Sequence, residues 1–341
     1  MTLTYKSIFS GHLEFGNERS YEKVVKMFQH RVENYYRNEI LLKEVEEVFN
    51  SESFSLHVPR LITMSPKKTW KNTVNLLEYV AQFAIAGSIH AWMIDDGKVL
   101  HNVLIEPQSD KAVVQAFLSG RQLVQDGKEA DAMQALIRAI DQFARHALAY
   151  ERRGYINYRL RNYKDAMYDF TKSININSRN PEAYLGRAKI RLMQEDLQGA
   201  IEDYSAGIKS SIPLQPIYWQ MRRLKAEAHL QLKEYEKAIV ELKFFTRRQF
   251  TPDNPNYTWR KKAYLDYGKA LLEIGEFAES VKQLNNAVKI EAGREPNLEA
   301  EQFLYRGIAL KKAGKKGFVK DWKEAAGLGS EQAQALLTKR R

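Results

Sequence analysis

From Ala112 onward the chain repeats itself at the distance needed for two short helices and a tight turn. The stretch Pro181 to Lys209, PEAYLGRAKIRLMQEDLQGAIEDYSAGIK, places Tyr184, Ala188 and Arg191 on one helix and Ala200, Tyr204 and Gly207 on a second. Shifting upstream by 34 residues gives Gly154, Ala166 and Phe170, and a further 34 gives Gly120, Ala132 and Leu136. Downstream the constellation returns as Ala226, Ala238, Leu242, then Gly268, Ser280, Leu284, and last Gly307, Phe318, Trp322 with Ala325. The steps between second-helix anchors are 34, 34, 38, 42 and 38. All six first-helix contact points and five of six second-helix points hold Gly, Ala or Ser, types that make up roughly a fifth to a quarter of average chains. Small residues mark where two helix axes approach closely. A hairpin of this size cannot bury its apolar stripe alone, so its neighbours must supply the other wall.

This spacing resembles the tetratricopeptide repeat family, whose motif runs large, small, large, Ala, aromatic, Ala, Pro, over about Ala112 to Ala335. The resemblance implies an all-α right-handed superhelix of about six helical hairpins, a solenoid over residues 109–341 that binds protein segments. Gly327 to Leu337 reads as an extra helix covering the last hairpin, before a charged tail at Lys339-Arg340-Arg341. Two positions depart from the motif: Phe245 stands where the family prefers Ala, and Phe318 replaces a small residue. The excess lengths of four and eight residues fall around Ser210 to Pro216 and Phe245 to Trp259. They fit either one and two added helical turns or protruding loops such as Pro252-Asp253-Asn254-Pro255.

Residues 1–108 read as a separate α/β domain, making the chain α+β overall. Phe9, Gly11, Leu13 and Phe15 alternate with polar residues as a strand does when one face is buried. Glu18 to Phe49 carries apolar residues at helical spacing, as two helices broken near Arg37-Asn38. Phe54, Leu56 and Val58 alternate before Pro59, which suits a strand end or an edge. Ser65-Pro66 reads as a cap opening a helix with Trp70, Val74, Leu77, Val80, Ala81 and Ala84 inward, closed by Gly87. Ser88 to Ile94 and Lys98 to Ile105 flank Asp95-Asp96-Gly97, a hairpin turn. The order predicts a mixed four-stranded sheet with helices on one face.

Several function classes find no support. Cysteine is absent, which excludes disulfides, thiolate metal sites and a cysteine nucleophile. No stretch reaches the ~18 apolar residues of a membrane span, and the start lacks a secretory pattern; a cytoplasmic address is expected. None of the seven histidines stands four residues from another, so a helix-borne metal pair is absent. His90 and His101 are placed to face each other across the hairpin. Asp95 and Asp96 read as turn formers, and Gly314-Lys315-Lys316-Gly317 as the turn of the sixth hairpin. No enzymatic activity, metal or cofactor is expected.

The net charge of +11 is unevenly spread. Residues 1–109 carry 12 Lys+Arg against 13 Asp+Glu, and residues 110–341 carry 41 against 29. Such an excess biases a surface toward acidic partners. In the family the chain resembles, first helices build the inner wall, one position after the small residue and a turn away. Carried over, that rule names Arg121; Glu151, Tyr155, Tyr158 and Arg159; Lys189 and Met193; Arg223 and Glu227; Lys262 and Lys269; and Ile308 with Lys312. Seven of these thirteen are Lys or Arg, matched to an extended acidic peptide. The Lys-and-Asn carboxylate clamp of heat-shock cochaperones is not present, its positions holding Phe117 with Arg121 and Glu151 with Tyr155. A binding scaffold is the leading expectation. One alternative is nucleic-acid binding through Arg152-Arg153, Arg222-Arg223 and Arg260-Lys261-Lys262; another is a ligand-sensing N-terminal domain.

Overall fold

The computed structural model describes residues 3–37, 39–290 and 296–338, and the chain divides into two compact units, Met1–Arg179 and Asn180–Arg341. No helix among the described residues is long and apolar enough to cross a membrane. The expected basic tail at Lys339 to Arg341, and Asn38 at the expected helix break, lie outside the described residues.

The first unit begins with strand β1 (Thr4–Glu14), helix α1 (Glu18–His30), which runs on as a π-helical turn Arg31–Tyr35, the single-turn α2 (Val45–Val48), β2 (Phe49–Asn50) and β3 (Ser55–Pro66). Helix α3 (Lys67–Ala81) then leads into the hairpin β4 (Ala86–Asp95) and β5 (Lys98–Ile105). The strands form one sheet in the order β2-β3-β1-β4-β5, each neighbouring pair antiparallel. Phe9, Leu13, Leu56, Val58, Ile89, Ala91 and Met93 point to one face and share a core with Val24 and Phe28 of α1 and Trp70, Val74 and Leu77 of α3.

The expected mixed four-stranded sheet is corrected to five antiparallel strands. Helix α3 carries the chain from one flank of β1 to the other, so β3 and β4 both run against β1 and never meet. The fifth strand, β2, is two residues long, too short to show alternation. Pro59 does not end β3. The pairing steps from Phe9–Leu61 to Gly11–Val58, and this bulge accommodates a residue with no N–H to give the ladder.

Ser65 lies inside β3 with its hydroxyl 2.6 Å from that of Ser7, and Pro66 is the residue that precedes α3. Gly87 belongs to β4, not to the helix end; a Cβ there would run into the His12 carbonyl. His90 pairs with Leu104 and His101 with Met93, and the β4–β5 register shifts between Met93 and Ile94. The two histidines therefore do not face each other, and the His101 ring stacks on Trp70 at 5.4 Å. The tight turn stands as expected, with Asp96 and Gly97 at φ of 42° and 76°.

The same unit ends in two helical hairpins, α4 (Ala112–Gln125) with α5 (Glu129–Gln142) and α6 (Ala147–Arg159) with α7 (Tyr163–Ile176). Helix α6 packs against α5 and against β4. The second unit comprises α8 (Pro181–Met193) with α9 (Leu197–Ser210), α10 (Pro216–Gln231) with α11 (Tyr235–Arg247), α12 (Arg260–Glu273) with α13 (Phe277–Lys289), and α14 (Pro296–Lys312) with α15 (Phe318–Gly327), followed by α16 (Glu331–Thr338). Each second helix there also packs on the next first helix, as α9 does on α10, and α16 packs on α15.

The small residues read from the repeat sit at the helix contacts. Ala132, Ala166, Ala188, Ala200, Ala226, Ala238 and Ser280 are fully buried. A Cβ on Gly120 would stand 2.8 Å from Leu136 Cγ, and one on Gly154 3.1 Å from the Phe170 ring. The turns share a further device. Residues Gly127, Arg161, Glu195, Lys233, Gly275 and Gly314 have φ between 58° and 84°. In each turn the residue that follows donates its N–H to a carbonyl five residues back, as Asp196 does to Arg191 at 2.9 Å. This double C-cap satisfies carbonyls that the first helix leaves open.

Phe245 and the eight extra residues explain each other. The segment after α11 is an irregular loop and a 3₁₀ turn (Tyr257–Trp259) rather than longer helix. It folds Phe250 back to 5.0 Å from the Phe245 ring and 5.8 Å from Trp219. A large residue fills space that the ordinary repeat lacks.

Candidate functional site

Most of the cations that sequence places on the inner wall are held by carboxylates of the same unit. In the first unit Arg121 forks onto Glu106 through two hydrogen bonds of 2.7 Å, tying α4 to the end of β5. Arg159 reaches Glu129 at 3.0 Å. Glu151 is buried beside Arg152 at 3.2 Å. Tyr155 is 40% exposed, and the Tyr158 ring leans on Tyr163 at 6.0 Å. Glu151, Tyr155, Tyr158 and Arg159 share α6.

The second unit brings the predicted residues together more closely. Arg223 is buried, donates to Glu227 at 2.7 Å and lies 3.7 Å over the Trp259 ring. Lys262 donates to Asp266 at 2.6 Å and to Glu227 at 3.3 Å. Burial opposes its charge, but Asp266 and Glu227 outweigh that and raise its pKa. Asp266 is raised by its own burial, with Lys262 opposing. Lys269 reaches Glu301 at 3.3 Å and stands 4.5 Å from the Tyr305 ring. Lys189 is pushed below the usual lysine range, first by burial and further by Arg223, with Glu182 opposing. Met193 is half-exposed and Lys312 exposed.

Glu227, Lys262, Asp266 and Lys269 line one cleft of about 410 Å³, walled by Leu230, Tyr235 and Tyr305. It opens along first helices α10, α12 and α14, the elements that the inner-wall rule selects. Lys189, Met193 and Lys312 do not line it. Tyr305 and Asp266 line the cleft and Glu301 reaches Lys269, though the sequence pattern singled out none of the three. Asp266 stands at the i+4 position from Lys262, a legible signal; Tyr305 and Glu301 come from the next hairpin, and only packing brings them in.

A second class of ion pair lies inside the hairpins. Arg153 forks onto Asp169 at 3.0 and 2.7 Å, Arg187 onto Asp203 at 3.0 and 2.6 Å, and Arg306 onto Asp321 at 2.7 and 2.6 Å. Arg222 of α10 pairs with Glu241 of α11 in the same way, whereas Lys261 of α12 reaches Glu299 of the next hairpin at 3.0 Å. Each of the three arginines that fork onto aspartate directly precedes the small contact residue, and each aspartate directly precedes the aromatic anchor. These cations hold helix to helix, so Arg153, Arg222 and Lys261 are not available as a phosphate-binding stripe.

Paired antiparallel helices with small residues at the contacts, capped turns and a cleft on the first helices define a helical-hairpin repeat protein. Residues 117–178 and 185–242 match the tetratricopeptide repeat. The family match does not extend to the sheet region. No curated protein matches the sequence. Among solved structures, the fold is similar to YrrB, described as a TPR protein with an unusual peptide-binding site, at 16% identity and a TM-score of 0.50, covering 61% of this chain and 100% of that one. It is also similar to PilF of Pseudomonas aeruginosa, at 16% identity and a TM-score of 0.50, covering 67% and 98%.

Proposed function

We propose that this chain is a non-enzymatic interaction scaffold that holds an extended, acidic segment of a protein partner against the first helices of its second unit. The cleft beside Lys262, Lys269 and Tyr305 carries the reading. It combines apolar wall, aromatic ring and donors in a volume of about 410 Å³, the composition of sites that orient a ligand by a few polar groups. Lys269 and Glu301 are the most exposed pair there, at 32% and 48% of their side chains. An exposed pair contributes little to stability, so a partner carboxylate can replace Glu301 on Lys269 at small cost. The acidic preference follows from charge: residues 180–341 hold 29 Lys+Arg against 21 Asp+Glu. Peptide binding by the similar YrrB is in keeping with it.

Selection from a random peptide library on the full chain tests the reading. Enriched peptides should be rich in Asp and Glu, and Lys269→Glu together with Tyr305→Ser should abolish the enrichment. Selection of basic peptides, or enrichment indifferent to both substitutions, overturns it.

A further inference from the structure

A second cavity in the Asn180–Arg341 unit, of about 500 Å³, has the charge character that the cleft lacks. Among the described residues it is lined by Arg248, Arg260 and Lys289 with the polar side chains Thr246, Gln249 and Asn286, the rings of Phe250 and Tyr264, and Ile290. Among the described residues, three cations and no carboxylate line it. In the cleft, by contrast, Glu227, Asp266 and Glu273 answer Lys262 and Lys269.

Among the described residues, the contacts that fix the walls bring no counter-charge to the cations. Arg260 donates from Nε to the Tyr257 carbonyl at 2.9 Å and lies 3.5 Å from the Tyr257 ring, neither of which neutralises it. Arg248 stands 5.9 Å from the Trp219 ring. The Tyr264 hydroxyl donates to the Thr246 carbonyl at 2.9 Å and so ties α12 to the end of α11. No carboxylate of the described residues forms an ion pair with Arg248, Arg260 or Lys289. Like charges gathered without a counter-charge repel one another, and an anion entering the cavity relieves that repulsion. Guanidinium groups present paired N–H donors that match a carboxylate's two oxygens.

We infer that this cavity anchors the acidic segment by taking closely spaced carboxylates of a partner peptide on Arg248, Arg260 and Lys289. The inference rests on the proposed function and locates its charge selectivity in the loop that follows α11 instead of in the cleft. The extra residues of the fourth repeat thereby acquire a role: they fold Phe250 over Phe245 and carry Arg248 to the cavity rim.

Fluorescence anisotropy of a labelled hexaglutamate peptide with the full chain tests this, at low and at physiological ionic strength. Arg248→Glu with Lys289→Glu, both at exposed positions, should weaken binding roughly tenfold or more, the effect of losing charge-assisted bonds. Arg260→Gln should weaken it less, and Lys320→Glu, an exposed reversal outside both cavities, should leave it within about twofold. Far-UV melting confirms that each variant folds. Unchanged affinity in the Arg248/Lys289 variant overturns the assignment, and so does the absence of hexaglutamate binding to the wild type. A loss confined to Lys269→Glu also overturns it while leaving the cleft reading intact. Inorganic phosphate displacing the label as effectively as unlabelled hexaglutamate would overturn the peptide class.

Discussion

Replacing Asp203 by Asn tests whether the arginines inside the hairpins are structural. Asp203 is buried, accepts from Arg187 at 3.0 and 2.6 Å, and takes a third contact from Arg191 at 3.1 Å. Charge-assisted bonds contribute about 1.5–3 kcal/mol each, but their sum is not additive. Removing one partner of a buried pair costs about 3–5 kcal/mol because the other charge is stranded. Here the arginine side chains keep 15% and 25% exposure, and Arg191 retains the Gly199 carbonyl at 2.7 Å. The expected cost is therefore at the low end, about 2–3 kcal/mol. In a unit of this size each 1 kcal/mol moves the midpoint by about 2–4 °C, so the unfolding midpoint by circular dichroism should fall by about 4–12 °C. Arg187→Met in the Asp203→Leu background should recover much of that loss, since apolar replacement of a buried pair is often nearly neutral. A shift under about 2 °C for Asp203→Asn would refute the reasoning and return Arg187 to the pool of surface cations.

Other substitutions probe the remaining devices. Lys233→Gly should stabilise the second unit by up to about 1 kcal/mol, because Lys233 adopts φ of 58° where a side chain is strained, while Gly275→Ala at φ of 84° should cost about that much; denaturant midpoints decide it. Phe245→Ala restores the family's preferred residue yet should destabilise by about 3–5 kcal/mol, since Phe245 is fully buried against Phe250; an unchanged midpoint would contradict the loop packing. His146 accepts from the Ala149 N–H at 3.2 Å and is held neutral chiefly by burial, its pKa lowered from 6.5 to about 4. Its contribution to the stability of the first unit is thus present above pH 6.5 and is lost as pH falls toward about 4, by at most about 3 kcal/mol. His12, lowered to about 4 in the same way, adds in the same direction, whereas Glu14, raised by burial, opposes. His146→Gln should flatten the dependence of the unfolding midpoint on pH across that window, and an unaltered slope would assign the dependence elsewhere.

The repeat was legible because its signal is spacing. Gly120, Gly154 and Ala188 recur at 34 residues whatever partner the protein serves, and the contact demands smallness that few residue types meet. The forked pairs were written just as plainly, with Arg directly before the small residue and Asp directly before the aromatic anchor, but a pair fifteen or sixteen residues apart acquires meaning only once the hairpin closes. The sheet was misread where strands were short or interrupted. Two residues of β2 carry no alternation, and Pro59 reads as an end until a bulge lets the ladder continue past it. The binding wall was partly legible: Arg223, Glu227, Lys262 and Lys269 do gather, since one helix face follows from periodicity. Arg223–Glu227 and Lys262–Asp266 are pairs four residues apart on one helix, whereas Lys262–Glu227 and Lys269–Glu301 depend on packing between adjacent helices. The cavity beside Arg248 depends on a loop whose path no period dictates.

Hydrogen exchange on the full chain, with and without a saturating acidic peptide chosen from the random library, bears most directly on the account. Slowed exchange should appear in α12, in the residues from Arg248 to Asn256 and at the end of α13, with α1, α3 and the sheet unchanged. Protection confined to Met1–Arg179, or spread evenly over all helices, would contradict it.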